Sequence, residues 1–293
     1  MGKDLLRIPT FRKYCWNQMV HHVDKLEVMS VFMKKKLNLI VILFVGLNCY
    51  SQSIATALNH DRKPDIKDEP NVAEITTITT YYRKNETEKS KSVSFFNGKN
   101  MLLSEMRYDD KGNMKARLNF MYDSTNTKSI SRRFETWNRI VGHSTQTAEY
   151  VYDKNGHLIK TIDKNVDNQP FRITSLQNND KGHPEKLVLK ELSSNFTGVE
   201  IADYDYEKNI ANISVLDERG NIISTSEMKI NFEERKFDDL IYNEQGDLIK
   251  SKGNEYEYKY DEFNNWVKKT WYEYKNGKKR KYQVSTRKIK YRK

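Results

Sequence analysis

Acids and amides set a few positions ahead of a glycine are the residues of this 293-residue chain with the most obvious chemistry. In YDKNGHLIK, Tyr152 to Lys160, the close placing of Asp153, Asn155 and Gly156 is that of a small calcium loop. An EF-type loop continues with acids at alternate positions and closes on a bidentate Glu. Here His157, Leu158, Ile159 and Lys160 follow, so the ligands run out. Turn chemistry accounts for the same residues: Asp and Asn side chains bond their own backbone, and glycine takes φ > 0. The glycine is then structural and no metal is expected.

Other chemistries fare no better. Asp109, Asp153, Asp217 and Asp261 would have to face one cleft to act as a glycosidase pair. Their recurrent position places them along a sheet rim instead. His60, His143, His157 and His183 show no metal-ligand spacing, and no H-E-x-x-H, G-x-S-x-G or P-loop occurs. The expectation is no catalytic residue and no cofactor. A triad scattered along the chain leaves no such signature, so a hydrolase with an unrecognised site stays as one alternative.

The elements that would position these residues are strands. Alanine and leucine are sparse, while 18 Tyr and 12 Phe favour sheet. ITTITTYYRK from Ile75 and SVSFF before Asn97-Gly98 have strand composition, and Asn-Gly predicts a type I′ hairpin turn. The dipeptide recurs at Asn155-Gly156 and Asn276-Gly277. Residues 233–241 are the nearest candidate for a short helix. The turn itself recurs as YDDKGNMK from Tyr108, LDERGNII from Leu216, YNEQGDLIK from Tyr242, YDEFNNWVKK from Tyr260 and a worn NNDKGHPEKL from Asn178. Gly112, Gly156, Gly182, Gly220, Gly246 and Asn264 are the expected turn residues. Spacing between the glycines varies, so hairpins of different length separate the copies. Tyrosines alternate before the turns (Tyr150 and Tyr152; Tyr256, Tyr258 and Tyr260), which places each set on one face of its strand. The expected fold is all-β, an antiparallel hairpin-repeat meander of about 12–15 strands in an open twisted or curled sheet.

The Tyr-Asp-x-x-Gly-x-Leu form resembles the YD repeats of RHS-type proteins, in the short exported versions of Bacteroidetes-like bacteria. YDKNGHLIK and YDDKGNMK are nearest, while Asn264 replaces Gly and Leu216 replaces Tyr. The likeness covers roughly residues 95–293. It implies stacked antiparallel hairpins and a carbohydrate-binding role; the β-shell of large members needs a longer chain.

Met33 starts MKKKLNLIVILFVGLNCYSQS, where a Lys triplet precedes a short apolar run and small residues precede a cut after Ser51. This is the pattern of a secretory signal peptide, and the run is too short to span a membrane as a helix. Asn48 before Cys49 fits a lipobox poorly. The expected organisation is an upstream extension at 1–32 with Met33 as the true initiator, a signal peptide at 33–51, a flexible leader at 52–73 and a β domain at 74–293. Cys15 and Cys49 lie before the cut, leaving a mature chain without thiols. The expected location is periplasm, cell surface or medium, with membrane contact only through the signal peptide.

The net charge of +11 is uneven: residues 268–293 alone contribute +11, residues 1–51 contribute +5, and the remainder is acidic. Two readings of the basic end stand: contact with an anionic envelope polymer or surface, and lysines that keep a terminal edge strand soluble. Nucleic acid is not expected as a partner. Strict alternation from Trp266 puts Lys268, Thr270, Tyr272 and Tyr274 on its face and Trp271 on the other. Trp266, Tyr272, Tyr274 and Trp137 are therefore the candidate binding residues, for glycan or another envelope polymer. The further alternative is a structural or protein-interaction module that docks an envelope protein.

Overall fold

The computed structural model describes residues 53–60, 64–67, 70–83, 86–194, 196–230, 240–251, 253–275 and 277–292. The expected upstream extension and signal peptide, most of the expected 233–241 helix and Asn276 lie outside them. The described residues form seventeen strands and one helix, in two compact units. The expected all-β antiparallel meander is what folds, with more strands than the turn spacing suggested.

The smaller unit holds residues 53–60 and 174–230. Its strands β9 (Pro184–Glu191), β10 (Thr197–Asp205), β11 (Ile210–Leu216) and β12 (Ile222–Lys229) pair antiparallel in that order. Leu187, Leu189, Ala211, Ile213 and Met228 are buried there. Helix α1 (Ile54–Leu58) lies against β9 and β10. Ser53 caps it, its Oγ accepting from the Thr56 N–H at 3.1 Å. Ile54 is fully buried, and its N–H donates to Glu200 Oε2 at 2.8 Å. Burial pushes the Glu200 carboxyl above its usual range, against the pull of that N–H. Part of the stretch expected to be a flexible leader is thus a capped helix with a buried side chain. Ile54 and Ala55 supply the apolar contacts, a signal too short for periodicity to reveal.

The larger unit holds residues 64–173 and 240–292. Its strands are β1 (Val72–Tyr82), β2 (Thr87–Phe96), β3 (Leu102–Tyr108), β4 (Met114–Tyr122), β5 (Ser129–Asn138), β6 (Gly142–Tyr152) and β7 (Leu158–Lys164). From the C-terminal half come β13 (Ile241–Tyr242), β14 (Leu248–Ser251), β15 (Asn254–Tyr260), β16 (Trp266–Lys275) and β17 (Lys278–Tyr291). β8 (Pro170–Asn178) spans the division between the units. Antiparallel ladders join β7 through β1 in sequence order and β13 through β17 in sequence order. β1 then pairs with β17 from Val72↔Tyr291 to Tyr81↔Gln283 and joins the two runs. A core of Val72, Ile75, Phe96 and Leu102 lies at that seam, with Ile66, Phe120, Ile289 and Tyr291 packed on it.

The β1–β17 pairing corrects one expectation. β17 lies between β16 and β1 and is no edge strand, so its lysines do not shield a sheet edge. No turn marks this pairing in the sequence, because its two strands are about 200 residues apart.

Candidate functional site

Nine turns among the described residues share one geometry. The first residue is Asp or Asn, the fourth residue donates its N–H to the carbonyl of the first, and the fourth has positive φ. Gly112, Gly156, Gly182, Gly220, Gly246 and Asn264 hold that fourth position, as the repeat predicted. Asn100, Asn126 and Asn168 hold it in three further copies that lack the glycine. The register slips by one residue at most of these turns, as between Val151 and Tyr152, so each is a type I turn with a bulge. Type I′ was expected at Asn97-Gly98, but positive φ falls on Asn100 instead. The reason is the first side chain: Asn97 Oδ1 accepts from the N–H groups of Lys99 and Met101 and folds the turn from its start.

The same arrangement settles what Asp153 does. Its Oδ1 accepts from the N–H groups of Asn155 at 2.9 Å and His157 at 2.8 Å. The His157 N–H bond, helped by that of Asn155, holds the carboxyl below its usual range despite partial desolvation. Asp217 does the same with Arg219 and Asn221. These carboxylates face their own backbone, which is a turn function. Gly220→Ala, in the Asp217 turn, is therefore expected to lower unfolding free energy by about 1–2 kcal/mol, since φ of +83° strains an L side chain while a Cβ there meets nothing within 4 Å. Gly220→Asn should cost less than half of that, because Asn already takes this conformation at Asn264 and Asn168. Urea titration of the three proteins measures it.

Tyrosines that precede turns act as staples. The hydroxyls of Tyr122, Tyr152 and Tyr258 donate to the carbonyls of Leu102, Ser129 and Leu248 at 2.9, 2.7 and 3.1 Å. In the smaller unit Tyr204 donates to Pro184 at 2.6 Å. Each acceptor is the first residue of the preceding strand, so the tyrosine ties the entrance of one hairpin to the exit of the next. Burial pushes the Tyr258 and Tyr204 hydroxyls far above their ordinary range. These rings hold the repeat together.

The four candidate binding residues do not share a site. Trp266 is buried, with 3% of its surface exposed. Its Nε1–H donates to Asp65 Oδ2 at 2.9 Å, and the Arg287 guanidinium lies 3.3 Å over its ring. Strict alternation placed Trp266 with Tyr272. A bulge opposite Tyr260 reverses that: Trp266 pairs with Tyr260 on the face of Tyr258, Lys269 and Arg287. Residues 64–67 dock on this face. Arg287 donates to the Asp65 carbonyl, the Lys67 N–H to Asn265 Oδ1 at 2.7 Å, and Lys67 Nζ to the Gln245 carbonyl. Here too the expected leader is built into the fold. Desolvation lowers Lys269, and lowers Arg287 to about 10, although Asp65 and Asp247 both favour their charged forms. Trp137 stands on β5, with its ring centroid 4.9 Å from that of His143 and five strands between β5 and β16.

Tyr272 and Tyr274 do come together, on the opposite face of β16. Their hydroxyls donate to Glu257 Oε2 at 2.9 Å and Glu255 Oε1 at 2.8 Å, which raises both phenol pKa values. Lys279 Nζ sits 2.7 Å from Glu255 Oε2 and 4.3 Å from the Tyr272 ring centroid. The rings are therefore held with one side outward.

The registers carry this face much further than sequence alternation could. Lys259 and Lys268 stand opposite each other, Lys268 opposite Thr286, Thr286 opposite Ile78 and Ile78 opposite Lys91. Lys281 faces Tyr272 and lies 5.6 Å from the Tyr82 ring centroid. Lys89, Lys288 and Lys290 fall in neighbouring rows, and Lys91 lies 5.6 Å from the Tyr108 ring centroid. With Lys279, eight exposed lysines stand on one face of β2, β1, β17, β16 and β15, against the acids Glu74, Glu255 and Glu257. Tyr82, Tyr272 and Tyr274 are interleaved with them. The paired lysines 89/91, 279/281 and 288/290 were visible as alternation. Their convergence depends on the β1–β17 seam.

No family model matches the chain, and no curated protein does. Among solved structures, a porin-like protein from Bacteroides uniformis is similar over 75% of this chain and 98% of that one, at 9% identity and a TM-score of 0.28. TcdB2-TccC3-Cdc42 matches 71% of this chain at 10% identity and a TM-score of 0.21. TcdB2-TccC3 without its hypervariable C-terminal region matches 90% at 11% identity and the same TM-score. The chain spans 20% and 22% of those two chains.

Proposed function

We propose that this is an exported, non-enzymatic β-repeat protein that binds an anionic envelope glycan along the lysine–tyrosine face of β15, β16, β17, β1 and β2. The observation that carries the reading is the internal position of β17. Eight lysines on one face of five central strands have no edge to guard. They hold a positive field that an anionic chain relieves. The interleaved Tyr82, Tyr272 and Tyr274 offer ring faces to sugar C–H groups, and their polar tips remain wet. An extended polymer suits a many-rowed sheet face better than a small solute, which needs a concave pocket.

Isothermal titration of the mature chain against polygalacturonate, a sulfated glycan and a neutral glucan tests this. Binding to the two anionic polymers, weakening at high salt, is the expected result. Lys268→Glu, Lys281→Glu and Lys91→Glu should each weaken it about threefold to tenfold, with stability unchanged, because these side chains are exposed. Silence across all anionic glycans, or equal affinity at low and high salt, overturns the reading. Preference for a DNA duplex of matched charge over every glycan would also overturn it.

A further inference from the structure

The row of Lys259, Lys268 and Lys91 does not end at β2, because Lys91 stands opposite Tyr108 on β3. One row along, Val93, Met106, Arg117, Glu135 and Thr145 oppose one another in turn from β2 to β6. Cross-strand partners share a face, so Arg117 and Glu135 stand on the face of the lysines. Two residues beyond Glu135 on β5, Trp137 points the same way and stands opposite His143, with the two ring centroids 4.9 Å apart. Larger side chains close over Glu135, which is 3% exposed. Arg117 donates from Nε to its Oε2 at 2.7 Å, and Arg117 Nη2 lies 2.6 Å from the same oxygen. Arg133 Nη2 donates to Oε1 at 3.4 Å, and His143 Nε2 lies 3.6 Å from Oε1. Burial pushes the Glu135 carboxyl up, but Arg117 and Arg133 outweigh it and hold the group below its usual range. One arginine would balance Glu135, and a cross-strand pair of that kind is ordinary sheet chemistry. Two arginines on one carboxylate leave a positive charge over. Arg133 reaches Glu135 at the length of a weak bond and keeps its side chain 55% exposed, while the Arg117 guanidinium lies 5.9 Å from the Trp137 ring centroid.

We propose that Arg117, Arg133, Trp137 and His143 form a second subsite for the same anionic glycan, one that takes a uronate residue. A sugar ring rests against the Trp137–His143 pair, and a carboxylate meets the guanidinium edges turned away from Glu135. The planar fork of arginine matches a carboxylate better than a lysine does, so this end of the face reads the anion and the lysine rows supply the general field. Glu135 is a positioning residue: it holds both guanidiniums beside the rings. The inference rests on the glycan reading of the lysine–tyrosine face, and it adds a length requirement to it. β5 and β16 are six strand spacings apart, about 29 Å along the sheet. A chain that covers this span engages both ends at once and gains from the effective concentration of the second; a shorter one engages either end alone.

Titration calorimetry of the mature chain with oligogalacturonates of graded length tests it. The wild type should bind chains that cover about 29 Å at least tenfold more tightly than short ones. Trp137→Ala and Arg133→Gln should each lower long-chain affinity about threefold to tenfold and flatten the dependence on length. Trp137→Phe should keep most of that dependence, because a ring face remains. Arg133→Gln should unfold at the wild-type urea midpoint, since its side chain is exposed, which separates a lost contact from a lost structure. Affinity that is equal at every length, or unchanged in both Trp137→Ala and Arg133→Gln, overturns the second subsite and leaves the lysine–tyrosine reading standing. Silence of the wild type at every length overturns the subsite, and silence toward sulfated glycans as well overturns both.

Discussion

Replacing Trp266 by Ala should lower the free energy of unfolding by about 3–5 kcal/mol. Burial accounts for most of this, because Trp266 is 3% exposed. The loss also removes the surface on which Arg287 lies at 3.3 Å and the N–H that Asp65 accepts at 2.9 Å. Desolvation already lowers Arg287 to about 10, so the guanidinium would remain poorly hydrated without its ring. Residues 64–67 would loosen at the same time, since Asp65 is part of their attachment. Urea unfolding followed by circular dichroism measures the loss. Tyr272→Ala provides the contrast: its ring is partly exposed and its hydroxyl meets a surface carboxylate, so about 1 kcal/mol or less is expected. Glycan affinity should respond the other way. Folded Trp266→Ala should bind as wild type, and Tyr272→Ala should bind several-fold more weakly. Equal stability of the two variants would contradict the burial of Trp266.

The repeat turn was legible because its chemistry is local. Asp or Asn at the first position and Gly at the fourth are enough to close it, and all six positions inferred from the repeat have positive φ. Asn100, Asn126 and Asn168 escaped notice because an Asn in that conformation looks like any polar loop residue. The faces of β16 were misread for a related reason. The same turns that organise the fold insert bulges, and each bulge shifts alternation by one residue, as it does at Trp266. Long-range facts were out of reach. Nothing near Lys278–Tyr291 says that its neighbour is Val72–Tyr82, so the lysines of one strand looked like the guard of an edge. Ile54 and Asp65 were hidden within a polar, proline-containing stretch, and their partners Glu200 and Trp266 are far along the chain.

Asp163→Ala should be as damaging as Trp266→Ala, at about 3–5 kcal/mol, through charge instead of volume. Asp163 stands on β7 opposite Ala148 and is 1% exposed. Its Oδ2 accepts from Arg172 Nε at 2.9 Å, and its Oδ1 lies 3.5 Å from an Arg132 nitrogen. Arg172 is itself 5% exposed. Removing the carboxylate takes from a buried guanidinium the acceptor of its Nε–H and the ion pair made there, and that desolvation penalty dominates the loss. The turn acids supply the internal comparison. Asp153→Asn keeps the acceptor for the N–H groups of Asn155 and His157 and should cost about 1 kcal/mol or less. The charge argument makes a second demand. If the cost lies in breaking this buried pair from one side, replacing both partners with apolar residues of similar size should recover most of it. Asp163→Leu/Arg172→Met is expected to unfold at a urea midpoint close to wild type and well above that of Asp163→Ala. A double variant no more stable than the single one would assign the loss to the Arg132 contact or to packing around β7.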